Sequence, residues 1–514
     1  MLSAGRSVGQ LGLVNTLVLV LSVGQAFVVG RLFGTSIGIE VYFAASTFYQ
    51  SLVLLMQTGQ VTEVVTPLFH RLVRDRGELV GARLFTVLMN WMVSLAACVS
   101  LVGFLFADWL IPLLVPGFDS SAQQLAVAMF RAIIPLTALQ ILQSLLTCYL
   151  TAKKRFVRQE VIRLASVATS LTLIVAGAYW LNAWSMVLGL WTGSIIMVCA
   201  MVYLAHQAGY RHSFVFWDST ISFRQLLRSL PSISSYVIVT QLYSIALTSG
   251  LSTLPQGSLA VFTYARRIFS RLNSLISRPV SVVFFNHYSA AVAKDSQRTL
   301  QLTREALRVF LVAACFMLLA LLAAGYPGLK FLWLSERFSV VHVWETYLVL
   351  MLLSFGTFFA GPGMIYRKMN VSHGQVIGQY NLLSFVQVAC GLAAYFMIPA
   401  FGLLSAVVIV FLNPCLNAAM AALITFRRDS NHFAWYQRDD LLNCGLILVG
   451  IGVPAAGILM IIPDTEARWM NFVIASSIGV GAICMAFVVS VRLRMAEPLA
   501  VWRLIRNGIA GRFT

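Results

Sequence analysis

Apolar runs of twenty residues or more recur from one end of the chain to the other, separated by short polar stretches. A run of about 20 apolar residues is what a helix needs to cross the hydrocarbon core of a bilayer. The pattern predicts about fourteen such helices, near 9–30, 41–66, 84–107, 123–150, 161–181, 184–205, 232–252, 258–286, 309–329, 343–364, 377–397, 402–425, 442–462 and 470–491. The fold class is therefore an all-α integral membrane protein. An even number of crossings places both termini on one side.

The connections sort by charge. One set carries Arg6, Arg71, Arg74, Arg76, Arg83, Lys153, Lys154, Arg155, Arg158, Arg163, Arg211, Arg224 and Arg228. It continues through Lys294, Arg298, Arg304, Arg308, Arg367, Lys368, Arg427, Arg428 and Arg438 to the basic tail. The opposite set holds only Arg31, Lys330, Arg337 and Arg468. By the positive-inside rule both termini are cytoplasmic. Trp109, Trp180, Trp184, Trp333, Trp344 and Trp469 fall at the other ends of the runs, where an aromatic belt is expected.

An internal repeat is visible at an offset of about 220 residues: Gly30, Val41, Ala45, Leu55 and Asp75 recur as Gly250, Val261, Ala265, Leu275 and Asp295. It predicts two pseudo-symmetric six-helix lobes, residues 1–217 and 218–430, followed by a helix pair and basic cytoplasmic tail over 431–514. Repeated halves around a midplane site are the usual construction of secondary transporters.

One span breaks the apolar rule. Residues 258–289 carry Arg266, Arg267, Arg271 and Arg278. At about 100° per residue, Arg267, Arg271 and Arg278 fall within roughly 40° of one another on a helix. Three arginines facing lipid would cost about 8–10 kcal/mol on insertion scales. A water-filled cavity within the bundle removes that cost, and a guanidinium stripe there suits a large anion, phosphate above all. The plainer reading lets Arg266 and Arg278 reach the headgroups or pair within the bundle. In this register the first half offers Thr47, Ser51 and Thr58 instead.

Arg131 lies about 12 Å down the fourth span, one turn before Pro135. Glu63 is the acid placed inside a span. The sequence leaves open whether it pairs with an arginine, carries a coupling proton or is simply hydrated near the cytoplasmic end. Gln50, Gln57, Gln60, Gln140 and Gln143 read as interhelical hydrogen bonds. Pro135, Pro279, Pro362, Pro414 and Pro454 are candidate kinks.

Composition agrees. Of 514 residues, 59% are hydrophobic and 11% charged, which leaves no room for a sizeable soluble domain. The net charge of +18 reflects membrane topology, not a nucleic-acid surface. The eight cysteines lie in or beside apolar runs without CxxC or Cys/His clusters, so neither a disulfide framework nor a metal site is expected. The first apolar run reads as a retained helix, not a signal peptide. HExxH, a Walker loop and a nucleophile elbow are all missing, and no cofactor is implied.

Short motifs in a fixed order carry a resemblance. Gly30-Arg31-Leu32-Phe33-Gly34 and Glu40-Val41-Tyr42-Phe43-Ala44-Ala45 are followed by Val65-Thr66-Pro67-Leu68, Val115-Pro116-Gly117-Phe118 and Tyr264-Ala265-Arg266-Arg267. Together they resemble the MurJ/MviN family of the multidrug/oligosaccharidyl-lipid/polysaccharide (MOP) exporter superfamily. The resemblance implies alternating-access export of a polyprenyl-diphosphate-linked saccharide across the bacterial cytoplasmic (inner) membrane. Its partners would be that substrate, membrane lipid and other polysaccharide-assembly proteins, with no nucleic acid. Arg267 matches the family's eighth-helix arginine, and Arg271 with Arg131 would join it on the diphosphate.

The chain also departs from the family. Leu19 and Gln25 stand where the first-helix arginines are expected, Tyr49-Gln50-Ser51-Leu52-Val53-Leu54 replaces the Pro-Asn-Leu-Leu-Arg-Arg run, and Ser270 replaces an acid. These losses favour an exopolysaccharide or O-antigen repeat unit over lipid II. The alternatives are a lipid II flippase, a membrane polysaccharide polymerase and an ion-coupled small-molecule exporter.

Overall fold

The computed structural model describes residues 2–57, 73–74, 77–153, 155–217, 231–291, 296–373, 376–428, 433–461, 468–493 and 495. Helix is present in each of the fourteen predicted segments, whole or broken, and the only β-pairing among the described residues is an isolated bridge, Ser335 to Phe338. Eleven helices among the described residues are long and apolar enough to cross a membrane. The protein is an all-α, multi-pass membrane protein. Its packing defines two compact units: Met1–Ala260 with Gln387–Ala406, and Val261–Val386 with Val407–Thr514.

The first unit holds α1 (Leu2–Phe33), α2 (Ile37–Gln57), α3 (Glu78–Leu105), α4 (Ala107–Leu114), α5 (Ser120–Ile133), α6 (Leu136–Ala152), α7 (Phe156–Leu181), α8 (Trp184–Gln207) and α9 (Pro231–Ser252). The fourth predicted span is broken into α5 and α6 at Pro135, which has no N–H to give. The Ile134 carbonyl beside the break takes hydrogen bonds from the Ser100 and Thr137 hydroxyls, at 3.0 and 2.7 Å. In hydrocarbon such a group must be satisfied by protein, and here two hydroxyls do it.

Helices α7 and α8 approach through small residues. A Cβ on Gly189 would lie 2.5 Å from Ile174 Cγ1, and one on Gly193 would lie 3.3 Å from Ser170 Cβ. Ser166 uses the close approach to donate to the Gly193 carbonyl at 2.7 Å. Between membrane helices, where no hydrophobic force draws them together, such small-residue contacts supply the attraction.

The second unit continues α10 (Ser258–Ala291) and contains α11 (Ser296–Trp333), α12 (Val340–Phe355), α13 (Thr357–Ser372), the first half of α14 (Val376–Phe401), most of α15 (Leu403–Arg428), α16 (Arg438–Ile447), α17 (Val453–Ile461) and α18 (Arg468–Arg492). A π-helical turn, Leu448–Gly452, joins α16 to α17. This terminal group packs on α11. Cys444 meets Cys315, Gly452 faces Leu319 and Leu322, and Gly479 sets its Cα against Ala324. Asp440, 5% exposed, forms an ion pair with Arg308 at 3.3 Å. Gly479 is thus a helix-packing residue. Asn370 joins α13 to α15 by donating to the Ala421 carbonyl at 3.0 Å and accepting from Thr425 at 2.9 Å.

The tryptophans divide. Trp109, Trp180, Trp184, Trp344 and Trp469 are 36–83% exposed, in keeping with a belt. Trp333 is not part of it. The ring is fully buried, stacked on Phe338 with centroids 5.2 Å apart and tilted against Tyr264 at 5.1 Å.

Candidate functional site

Helix α10 carries the arginine stripe, and its first turns explain how the stripe is held. The preceding loop, Thr253–Gly257, lies on the side the charge pattern places outside. Gly257 adopts φ +102°, a left-handed conformation that favours glycine, and the helix begins at the next residue. A new helix presents N–H groups that have no partner within it. The Glu40 carboxylate on α2, 3% exposed, accepts from the Gly257 and Ala260 N–H groups, each at 3.0 Å. A negative charge there also complements the positive end of the helix dipole. Glu40 therefore caps α10 from 217 residues away.

Gly117 of the Val115-Pro116-Gly117-Phe118 motif fixes the loop from another side. A Cβ at that position would meet the Ser252 carbonyl at 2.2 Å and Thr253 Cα at 2.3 Å. Both are backbone atoms that cannot rotate away. Leu259, Ala260, Val261, Phe262, Tyr264 and Ala265 that follow are all buried. Tyr264 packs on Trp333 and Phe338 at 5.1 and 5.9 Å.

From Arg266 onward the helix opens. Arg266 and Arg271 are exposed and Arg267 is half-buried. Ser270 donates to the Arg267 carbonyl at 2.9 Å and Ser274 to the Arg271 carbonyl at 2.7 Å. Counting 100° per residue, Ser270, Ser274, Arg267, Arg278 and Arg271 share a face roughly 100° wide. The backbone places Arg278 on it. Arg266 lies about 100° away from Arg267, so it flanks the face. The helix has 34 residues, about 50 Å at 1.5 Å per residue, and so is longer than the hydrocarbon core is thick. Arg267 and Arg271 lie about 14 and 20 Å from its start, and a charge set that far into a bilayer needs water or a partner. Here guanidinium groups and hydroxyls lie along one helix face, an arrangement that can grip a phosphate oxygen set bidentately.

Arg131 is in the last turn of α5, its Nη2 pairs with the Asp108 carboxylate of α4, and its Nε donates to the Phe104 carbonyl at 3.1 Å. The guanidinium also sits 5.5 Å from the Phe104 ring centroid. With Asp108, Gln123 and Gln124 it lines a cleft of about 400 Å³ beside α4. Arg131 therefore braces a helix junction. Glu63 lies outside the described residues. Among the glutamines, Gln140 donates to Ser194 at 3.2 Å, the interhelical bond expected of it. Among the described residues, no group of three or more His, Cys, Asp or Glu is placed to hold a metal ion.

Glu40 is a further acid within a helix of the bundle, because α2 begins four residues before the predicted start. The sequence did contain a signal, since an acid at the head of an apolar run is functional by default. What it lacked was the partner.

The fold, with its terminal helix group, is similar to those of solved transporters of the MOP superfamily. It resembles the solved lipid II flippase MurJ in an inward closed conformation, with TM-score 0.76 and 15% identity over 94% of this chain and 98% of that one. An inward-facing MATE multidrug-resistance transporter of the MOP superfamily matches with TM-score 0.65 and 14% identity, over 81% of this chain and 94% of that one. A MOP superfamily transporter from Pyrococcus furiosus matches at TM-score 0.53 with 15% identity, over 82% of this chain and 94% of that one. The profile of the family described as "Lipid II flippase MurJ" covers residues 29–478, and the chain belongs to that family. It is a transporter and not an enzyme, so the polymerase alternative falls.

Proposed function

We propose that the protein flips a polyprenyl-diphosphate-linked saccharide from the inner to the outer face of the bacterial cytoplasmic membrane by alternating access. The observation that carries this reading is the polar face of α10, on which Arg267 and Arg271 stand beside Ser270 and Ser274. The diphosphate is held by Arg267 and Arg271, with Arg278 next along the stripe and Arg266 at its flank. Arg131 supports the junction of α4 and α5. Glu63 is assigned to ion pairing or coupling. The polyprenyl tail stays in lipid, and rocking of the two repeated halves turns the head group outward.

The saccharide we assign is an exopolysaccharide or O-antigen repeat unit. Its support is Leu19, Gln25, Val53, Leu54 and Ser270, neutral where the family resemblance leads one to expect charge. The second reading is lipid II, and the family match over residues 29–478 favours it.

The test is accumulation of intermediates. The gene is deleted in its host and, separately, Arg267→Ala and Arg271→Ala are introduced, after which polyprenyl-linked lipids are extracted and identified. One lipid-linked saccharide should build up on the cytoplasmic face in all three strains, and its sugar names the substrate. Build-up of lipid II selects the second reading. Unchanged lipid intermediates overturn both.

A further inference from the structure

Beyond α8 the chain runs as an extended strap, Tyr210–Trp217, back along the first unit. Two α3 side chains tie it down. The Asn90 amide, 6% exposed, donates to the Ser213 and Val215 carbonyls at 3.0 and 2.8 Å, and Trp91 Nε1 donates to the Phe216 carbonyl at 2.7 Å. Burying an amide is costly unless its hydrogen bonds are made, so the strap has a specified place. Tyr210 anchors the other end. Its ring is buried beside Tyr149 at 5.1 Å, and its hydroxyl accepts from Thr86 at 3.2 Å. Burial pushes its phenol up from the usual range, so it stays neutral.

Alternation along an extended chain sends every second side chain to one face. Tyr210, His212, Phe214 and Phe216 accordingly line a groove of about 420 Å³, closed on its other sides by α3, α6 and α8. Its walls are almost wholly apolar, with Met89, Val93, Leu142, Leu146 and Val202 among them, and its polar groups include His206 and His212. His206 is in the last turn of α8, and His212 Nδ1 sits 3.3 Å from the Tyr210 hydroxyl. The groove lies at the end of the unit that carries Arg83, Lys153, Arg155, Arg158 and Arg211. No acid lines it. Glu78, close to Tyr149 at the same end, is paired with Lys153 at 3.0 Å.

We infer that this groove binds one anionic phospholipid, its acyl chain among Val93, Leu142, Leu146 and Val202 and its phosphate against His206 and His212. A largely apolar slot with two exposed imidazoles on its rim, set between membrane helices, matches a lipid in both halves. Burial of its acyl methylenes favours a chain over a free ion. Arg211, exposed beside His212, adds positive potential at the same mouth.

The full-length protein, purified in detergent, is titrated with dioleoyl phosphatidylglycerol or dioleoyl phosphatidylcholine and its bound lipids are counted by native mass spectrometry. The wild type should retain one phosphatidylglycerol at concentrations where phosphatidylcholine is lost. His206→Ala with His212→Ala should weaken phosphatidylglycerol retention at least fivefold without lowering the melting temperature. Val93→Trp, which fills the slot, should abolish retention of either lipid. The exposed histidine pair carries the test by itself if the tryptophan variant does not fold. Equal retention of the two lipids overturns the inference, as does a histidine variant that binds like wild type. Displacement by millimolar inorganic phosphate, or a co-purifying protein in stoichiometric amount, overturns it too.

Discussion

Glu40 brings one carboxylate to two peptide N–H groups at the start of another helix, and the geometry says what each substitution should do. Glu40→Gln keeps one acceptor oxygen and loses the charge. Glu40→Ala leaves buried donors unmet, at about 1–3 kcal/mol. Thermal unfolding in detergent should therefore rank wild type above Gln and Gln above Ala, with transport falling in the same order. If Ala melts with Gln, the cap has no energetic role. At Arg131 the expectation differs from that at Arg267. Arg131→Lys keeps the charge but loses the fork that bonds Asp108 and Phe104 at once. It should lower stability modestly and spare substrate accumulation, whereas Arg267→Lys should cause accumulation with the melting temperature unchanged.

At the scale of helices, close approach is the organising fact. Gly361 on α13 leaves no space for a methyl group, since a Cβ would stand 2.2 Å from the Phe310 ring on α11. Phe310 is 1% exposed and has nowhere to go. Gly361→Ala should cost about 1–3 kcal/mol by overpacking, and Phe310→Leu in the same chain should recover part of it. Denaturation of the single and double variants measures that coupling. Gly117→Ala should be worse and beyond rescue by a second side chain, because its neighbours are the Ser252 and Thr253 backbone. A Gly117→Ala protein that melts like wild type would show that the loop before α10 can shift at no cost.

At the scale of the molecule, the terminal helices are bound to α11 by the Arg308–Asp440 ion pair and a line of small residues. Asp440→Ala removes the partner of Arg308 next to the Cys315–Cys444 contact. It should make α16 to α18 the first part of the chain to gain hydrogen exchange, by at least tenfold over the rest of the unit. Uniform exchange would show that the group is held by apolar packing alone.

The sequence by itself determined the helical segments, because hydrocarbon admits only internally bonded backbone and the apolar runs have the length it requires. It determined the arginine stripe as well, since Arg267, Arg271 and Arg278 share a face through spacing alone. Tertiary structure decided the partners. Arg131 and Asp108 are 23 residues apart, Asn90 and Ser213 are 123 apart, and Glu40 and Gly257 are 217 apart. Periodicity reports which face of a helix is polar, but not which neighbour meets it. For that reason Trp333, read as a belt residue, proved to be core, and the acid that matters to α10 was Glu40. The physical cause is one of range: burial pattern is written locally along the chain, while capping, pairing and close backbone approach exist only once distant segments have been brought together.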